Sequence, residues 1–174
     1  SVTGIGRGHA HLLGPDGLSQ VPYERLILAT GAMDRVLPIA GWQTGGAYTL
    51  GAMQIALKAQ GIALGQQIVL LGTGPLLTLL ASQLLKAGAD VRAVLDTASM
   101  WDQVKGGMGM LAARPLVTLR GMAMRAGLRR VYHAGVTGLQ VDTGEDGPTA
   151  VYWRDASGRQ HQTKCDAVGM GWHL

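Results

Sequence analysis

The chain of 174 residues carries 15 Lys and Arg against 11 Asp and Glu, a formal charge of +4, with 47% hydrophobic and 15% charged residues. This length and apolar content suit a folded domain with its own core and exclude a disordered tail. The excess charge is small and dispersed, so the basic pI of about 9.6 reflects few carboxylates and not a nucleic-acid-binding stripe. A single cysteine, Cys165, excludes an internal disulfide framework and any Cys-x-x-Cys pair.

In chain order, His9 to Leu13 and Leu18 to Val21 flank Gly14-Pro15-Asp16-Gly17, which predicts a hairpin. Arg25 to Ala29 reads as a short buried strand ending at Thr30-Gly31, followed by a linker through Pro38 and Gly41-Trp42. Thr49 can cap a helix from about Leu50 to Gln60, with Gly61 as its stop. Ile68 to Leu85 runs 18 residues without a charge, near the lower length of a membrane span. Gly72-Thr73-Gly74-Pro75 interrupts that run, and a proline there breaks a continuous helix. A buried strand over 68–71 followed by a helix from Gly74 to Ala87 is the better reading, and no membrane span is expected. Asp90 to Leu95 predicts a second strand, ending at Asp96.

Met100 to Leu128 predicts two helices bent at Pro115. Short strands follow over 131–133, 136–141, 150–154 and 160–164, with strong turns at 144–148 and 155–158, and a last buried strand over 166–169. Ser1 is no initiator methionine, and the last residues run apolar and glycine-bearing, so the sequence reads as an excerpt from a longer chain.

The segment that carries chemistry is strand, Gly72-x-Gly74, helix, strand, Asp96. A diphosphate needs backbone amides and the positive end of a helix close to it, and only glycine permits that approach. Gly72 would make the turn and Gly74 would admit the phosphates, with Thr73, Pro75 and Leu76 completing the loop. Asp96 lies 24 positions after Gly72, where about 20 are expected, and can accept from both ribose hydroxyls of an adenosine. A carboxylate there repels a 2′-phosphate, which favours NAD over NADP. The third glycine position of the fingerprint holds Leu77, a departure that would push the helix outward.

Other groups read as ordinary structure. Cys165 reads as a buried thiol before a nucleophile, and His9 and His11 as exposed side chains before metal ligands. Met100, Met108, Met110, Met122 and Met124 read as core filler before a greasy partner surface. Arg120, Arg125, Arg129 and Arg130 read as a solvated helix face before a contact with an anion or a partner.

Taken together, the motifs resemble a family. Tyr23-Glu24-Arg25-Leu26-Ile27-Leu28-Ala29-Thr30-Gly31 resembles the second flavin-contact motif of the two-dinucleotide-binding-domain flavoproteins, the pyridine nucleotide-disulfide oxidoreductase-like enzymes. Pro38-x-x-Gly41-Trp42 resembles their crossover into an inserted NAD domain, and Gly72-Thr73-Gly74-Pro75 that domain's nucleotide loop. Cys165-Asp166-Ala167-Val168-Gly169-Met170-Gly171 resembles the return strand into the flavin domain. Within the family, residues 51–54, 72–77 and 94–97 resemble the subunits of opine oxidase, hydrogen cyanide synthase and dye-linked amino-acid dehydrogenases, which oxidise amines or amino acids.

The resemblance implies an α/β fold: a Rossmann-like three-layer NAD-binding-type domain over 38–163, with a central parallel sheet and a small antiparallel one. Flavin-domain remnants would flank it at 1–37 and 164–174. It implies FAD in the full-length protein, with Thr30 and Gly31 on the flavin side and Gly169 among the cofactor-binding residues of the NAD-type site. It also implies a small amine or amino-acid substrate that passes hydride to the flavin N5, and other subunits of a hetero-oligomer. The location implied is cytoplasmic, with peripheral attachment at the inner membrane face left open. Many relatives carry a glutamate facing the nicotinamide where this chain has Leu79. Two alternatives therefore stand beside amine oxidation: an NADH-dependent reductase of a protein or quinone, and a degenerate nucleotide site serving the assembly of subunits.

Overall fold

The computed structural model describes residues 1–172, which form two compact units, 1–32 and the chain from residue 33 onward. In the first, β1 (Val2–Gly6), β2 (His9–Gly14) and β3 (Gly17–Pro22) make an antiparallel sheet in the order β1-β2-β3. The turn at 14–17 closes β2 onto β3 with Gly14 opposite Gly17, as the hairpin motif demands. β1 was not expected, because its glycines at positions 4 and 6 mask the strand pattern.

The second unit is built on five parallel strands in the order β4-β11-β5-β6-β7. These are β4 (Ala47–Thr49), β5 (Gln67–Thr73), β6 (Asp90–Asp96), β7 (Tyr132–Ala134) and β11 (Ala167–Trp172). Ile68, Val69, Leu70 and Leu71 are wholly buried, so β5 is covered on both faces, which explains its unbroken apolar sequence. One face packs on α1 (Leu50–Ile55) and α2 (Pro75–Lys86), through Leu50, Met53, Leu77, Leu80 and Leu84. The other meets an antiparallel sheet in the order β10-β9-β8, made of β8 (Thr137–Gly144), β9 (Gly147–Arg154) and β10 (Gln160–Lys164). Val141, Val151 and Trp153 pack there with Val69, Leu71, Ala93 and Leu95. The result is the expected α/β architecture in three layers: helices, parallel sheet, antiparallel sheet.

Thr49 caps α1, and the helix ends in a π-helical turn over Ala56–Gln60 closed by Gly61 in the left-handed conformation. The uncharged run over 68–85 splits into β5 and α2, and no helix among the described residues is long and apolar enough to cross a membrane.

Two expectations differ from the structure. Arg25 to Ala29 forms no strand, and Ile27 is 90% exposed. Its residues favour a buried strand, but among the described residues they pair with no strand. The last buried strand expected over 166–169 is present as β11, between β4 and β5. Its six consecutive residues are all buried because the strand is covered on both faces, Ala167 on the helix side and Val168, Met170 and Trp172 on the other. The second difference is that the methionines of α3 (Met100–Ala113) and α4 (Pro115–Gly127) are not core filler. Met100, Met108, Met110 and Met122 are exposed, and neither helix holds a fully buried side chain.

A close backbone approach sets the middle of the parallel sheet. Gly72 has φ +140°, and a Cβ built there would stand 1.8 Å from the Gly171 carbonyl oxygen on β11. Gly72→Ala therefore strains the backbone and forces β5 and β11 apart. The expected outcome is a loss of about 3 kcal/mol or more in urea denaturation, against under about 0.5 kcal/mol for Gly106→Ala, which meets nothing.

Candidate nucleotide site at the carboxyl edge of the sheet

β5 ends at Thr73, and the chain turns through Gly74, with φ +106°, into α2. Pro75 occupies the first helical turn, where its missing N–H costs nothing. Gly74 makes no side-chain cap, and the first turn holds no acidic residue, so the amides opening α2 and the positive end of its dipole are not taken by a side chain. α1 is different, although it starts at the same edge. Its Gly51 N–H donates to Asp34 Oδ2 at 2.6 Å and its Ala52 N–H to Thr49 Oγ1 at 3.1 Å. Of these two neighbouring helices, α2 is the one left open to an outside anion.

The floor beside this turn is fixed by β6. The Gly72 carbonyl accepts from the Thr97 amide at 2.8 Å and from the Thr97 hydroxyl at 3.2 Å, and Trp172 Nε1 donates to that hydroxyl oxygen at 3.1 Å. Leu77 faces the core between α2 and the sheet, with Leu80 and Leu84. Leu76 and Leu79 are half-buried. Gly169 stands level with Leu70, two residues short of the turn. A Cβ there would lie 2.5 Å from Met53 Sδ and 2.6 Å from Leu70 Cδ2, so its smallness serves the packing of α1 on the sheet.

Asp96 ends β6 opposite Gly72, as a ribose acid should, yet it is only 4% exposed. Its Oδ1 accepts from the Ala98 amide at 2.8 Å. Its Oδ2 accepts from the Tyr132 hydroxyl and from Gln103 Nε2, the latter at 3.3 Å. Gln103 also donates to the Ala98 carbonyl at 2.8 Å and accepts from Arg125, whose guanidinium lies 4.4 Å from the centre of the Tyr132 ring. Burial, then the hydrogen bond and charge of Asp96, hold the Tyr132 phenol far above its ordinary pKa, so it stays a donor.

Tyr132, Gln103 and Arg125 are thus site residues that sequence reasoning did not bring to Asp96. The available signal was weak: an aromatic with a polar tip in a short strand beside β6, and a Gln one turn into α3. Arg125 is half-buried over Tyr132 and is no member of a freely solvated face.

Thr30 and Gly31 lie exposed in a stretch without regular structure, and a Cβ on Gly31 would meet nothing within 4 Å. The residues present there do not build a flavin pocket by themselves. Among the described residues no group of three or more His, Cys, Asp or Glu stands at metal-binding spacing.

Two outcomes follow. A ribose acid facing solvent would be indifferent to truncation, whereas Asp96→Ala leaves Tyr132, Gln103 and the Ala98 amide without their acceptor. Urea denaturation should show a loss of about 2–3 kcal/mol. Cys165 is buried, and that burial, with Asp166 beside it, pushes its thiol up to about 11. It should therefore resist a disulfide-exchange reagent at about pH 8 in the folded chain and react on unfolding.

No family model matches the chain. An opine oxidase subunit of Rhizobium meliloti (strain 1021) is 35% identical over 163 residues, 88% of this chain and 35% of that protein. Hydrogen cyanide synthase subunit HcnB of Pseudomonas protegens is 36% identical over 116 residues, 67% of this chain and 24% of that protein. The chain therefore spans about a third or less of the length of these relatives. Among solved structures, putidaredoxin reductase in its covalent complex with putidaredoxin superposes with a TM-score of 0.53 at 24% identity, over 99% of this chain and 40% of that one, a likeness of fold. The chain is homologous over the matched residues to the opine oxidase and hydrogen cyanide synthase subunits, and it shares its fold with putidaredoxin reductase.

Proposed function

We propose that this chain supplies the nucleotide-domain layer of an FAD-dependent oxidoreductase that oxidises an amine or amino acid, in the cytoplasm and in company with other subunits. The observation that carries this is the turn at Gly72–Pro75, open at the start of α2, in a chain homologous to an opine oxidase subunit. That turn would hold the diphosphate of a dinucleotide through the backbone around Gly72, Thr73, Gly74 and Leu76. The negative charge of Asp96 beside it favours NAD over NADP. Bound FAD would supply the two-electron acceptor for the substrate. Thr30 and Gly31 would belong to its surroundings only together with residues outside this chain.

A second reading is a degenerate nucleotide site retained for the assembly of subunits. One observation favours it: the Asp96 carboxylate is engaged from within. The same engagement argues against NADH as the electron source, because the acid that should seat its adenosine is covered.

The reading is tested on the FAD-loaded full-length protein under anaerobic conditions. A panel of amino acids and secondary amines, including opines, should bleach the flavin, and NADH should leave it oxidised. Bleaching by NADH with silence from every amine would replace the proposal with the NADH-dependent reductase.

A further inference from the structure

Asp96 is where a dinucleotide's ribose would need free acceptor positions, and the chain's own donors occupy the carboxylate. The groups come from four places: the Ala98 amide in the turn after β6, Gln103 on α3, Tyr132 on β7, and Arg125 on α4, which bonds Gln103 and covers the Tyr132 ring. We propose that Tyr132 and Gln103 form a latch closing the adenosine end of the nucleotide site, with Arg125 as the positioning residue that holds both. This rests on the reading of the Gly72–Pro75 turn as a dinucleotide site.

A ribose hydroxyl can reach Asp96 Oδ2 only by displacing the Tyr132 hydroxyl and the Gln103 amide, leaving two donors to find new partners. The Ala98 bond can persist, since it uses the other oxygen and is made within the turn itself. The moving part is α3. It has no fully buried side chain, and Met100, Trp101, Val104, Met108 and Leu111, which share one helical stripe, are all exposed. Held at this end by polar contacts and not by apolar packing, α3 is the element that can withdraw Gln103 from Asp96 while the sheet and α2 stay in place, and the Tyr132 hydroxyl leaves by rotation of its own side chain. The latch thereby sets nucleotide affinity without any change in the phosphate turn. A protein with this arrangement discriminates against dinucleotides until α3 is drawn away and the Tyr132 side chain turns aside.

The test is calorimetric titration of the chain with ADP-ribose, NAD and inorganic pyrophosphate, in the wild type and in Tyr132→Phe, Gln103→Ala and the double variant, each first shown by urea denaturation to be folded. The double variant is expected to bind ADP-ribose at least tenfold more tightly than the wild type, with pyrophosphate affinity unchanged between them. Equal or weaker ADP-ribose binding in the variants overturns the latch. So does a wild type that binds NAD with micromolar affinity and loses it on Asp96→Asn, an outcome that leaves the dinucleotide site standing. Silence of every protein toward all three ligands overturns the latch and the dinucleotide reading together.

Should the variants fail to fold, amide exchange on the wild type decides. ADP-ribose at saturating concentration should speed exchange over 99–105 while slowing it over 73–77. Slowed exchange in both segments overturns the latch.

Discussion

A carboxylate at the end of a central strand, out of reach of water, must be met by donors, and in this chain they come from within. The bonds to Asp96 gather the turn after β6, the start of α3 and the register of β7 on β6. Removing that one acceptor would orphan groups on three elements. The edge that in a dinucleotide-binding domain is left open for a ribose is here part of the molecule's own hydrogen-bonding. The adjoining edge, where β5 and β11 touch through Gly72 and Gly171, keeps the opposite character: a glycine turn feeding a helix whose first amides no side chain claims. The site is therefore built in two halves of unequal readiness.

Much of this frame is legible in the amino-acid order. The apolar run broken by Gly-Thr-Gly-Pro can only be a buried strand turning into a helix. Gly61 stops a helix because it alone takes φ of +69° there without strain, and Pro115 parts α3 from α4 because it cannot continue a hydrogen-bonded turn. Such signals are local, and local physics decides them. What escaped is what depends on partners. Arg25 to Ala29 has the composition of a strand, but a strand exists only where another offers its edge. Tyr132 was visible as a strand residue, but nothing local says that its strand lies beside β6 or that its hydroxyl meets Asp96. Nor does anything local say that Met53, Leu70 and Leu50 crowd the space beside Gly169.

The helical pair α3 and α4 shows how unevenly stability is distributed. The sheet and α2 bury Leu, Ile and Val completely, while α3 and α4 carry exposed Trp101, Leu116, Val117 and Leu119. Trp101 is 77% exposed. Ser99 caps α3, accepting from the Asp102 amide at 3.2 Å and donating to its carboxylate at 2.6 Å. The helix is thus well started locally and weakly anchored globally. Elements of that kind are the ones a fold can spare for movement, and here the spare element carries one of the donors covering Asp96.

The central claim is that a phosphate-ready turn and a self-occupied ribose acid coexist at one sheet edge. A crystal structure of the chain with ADP-ribose tests it most directly. The account predicts the diphosphate against the amides of 73–77, with the Tyr132 hydroxyl and Gln103 displaced from Asp96. A diphosphate seated anywhere else, or a ribose bonded to Asp96 with Tyr132 and Gln103 still in place, would contradict it.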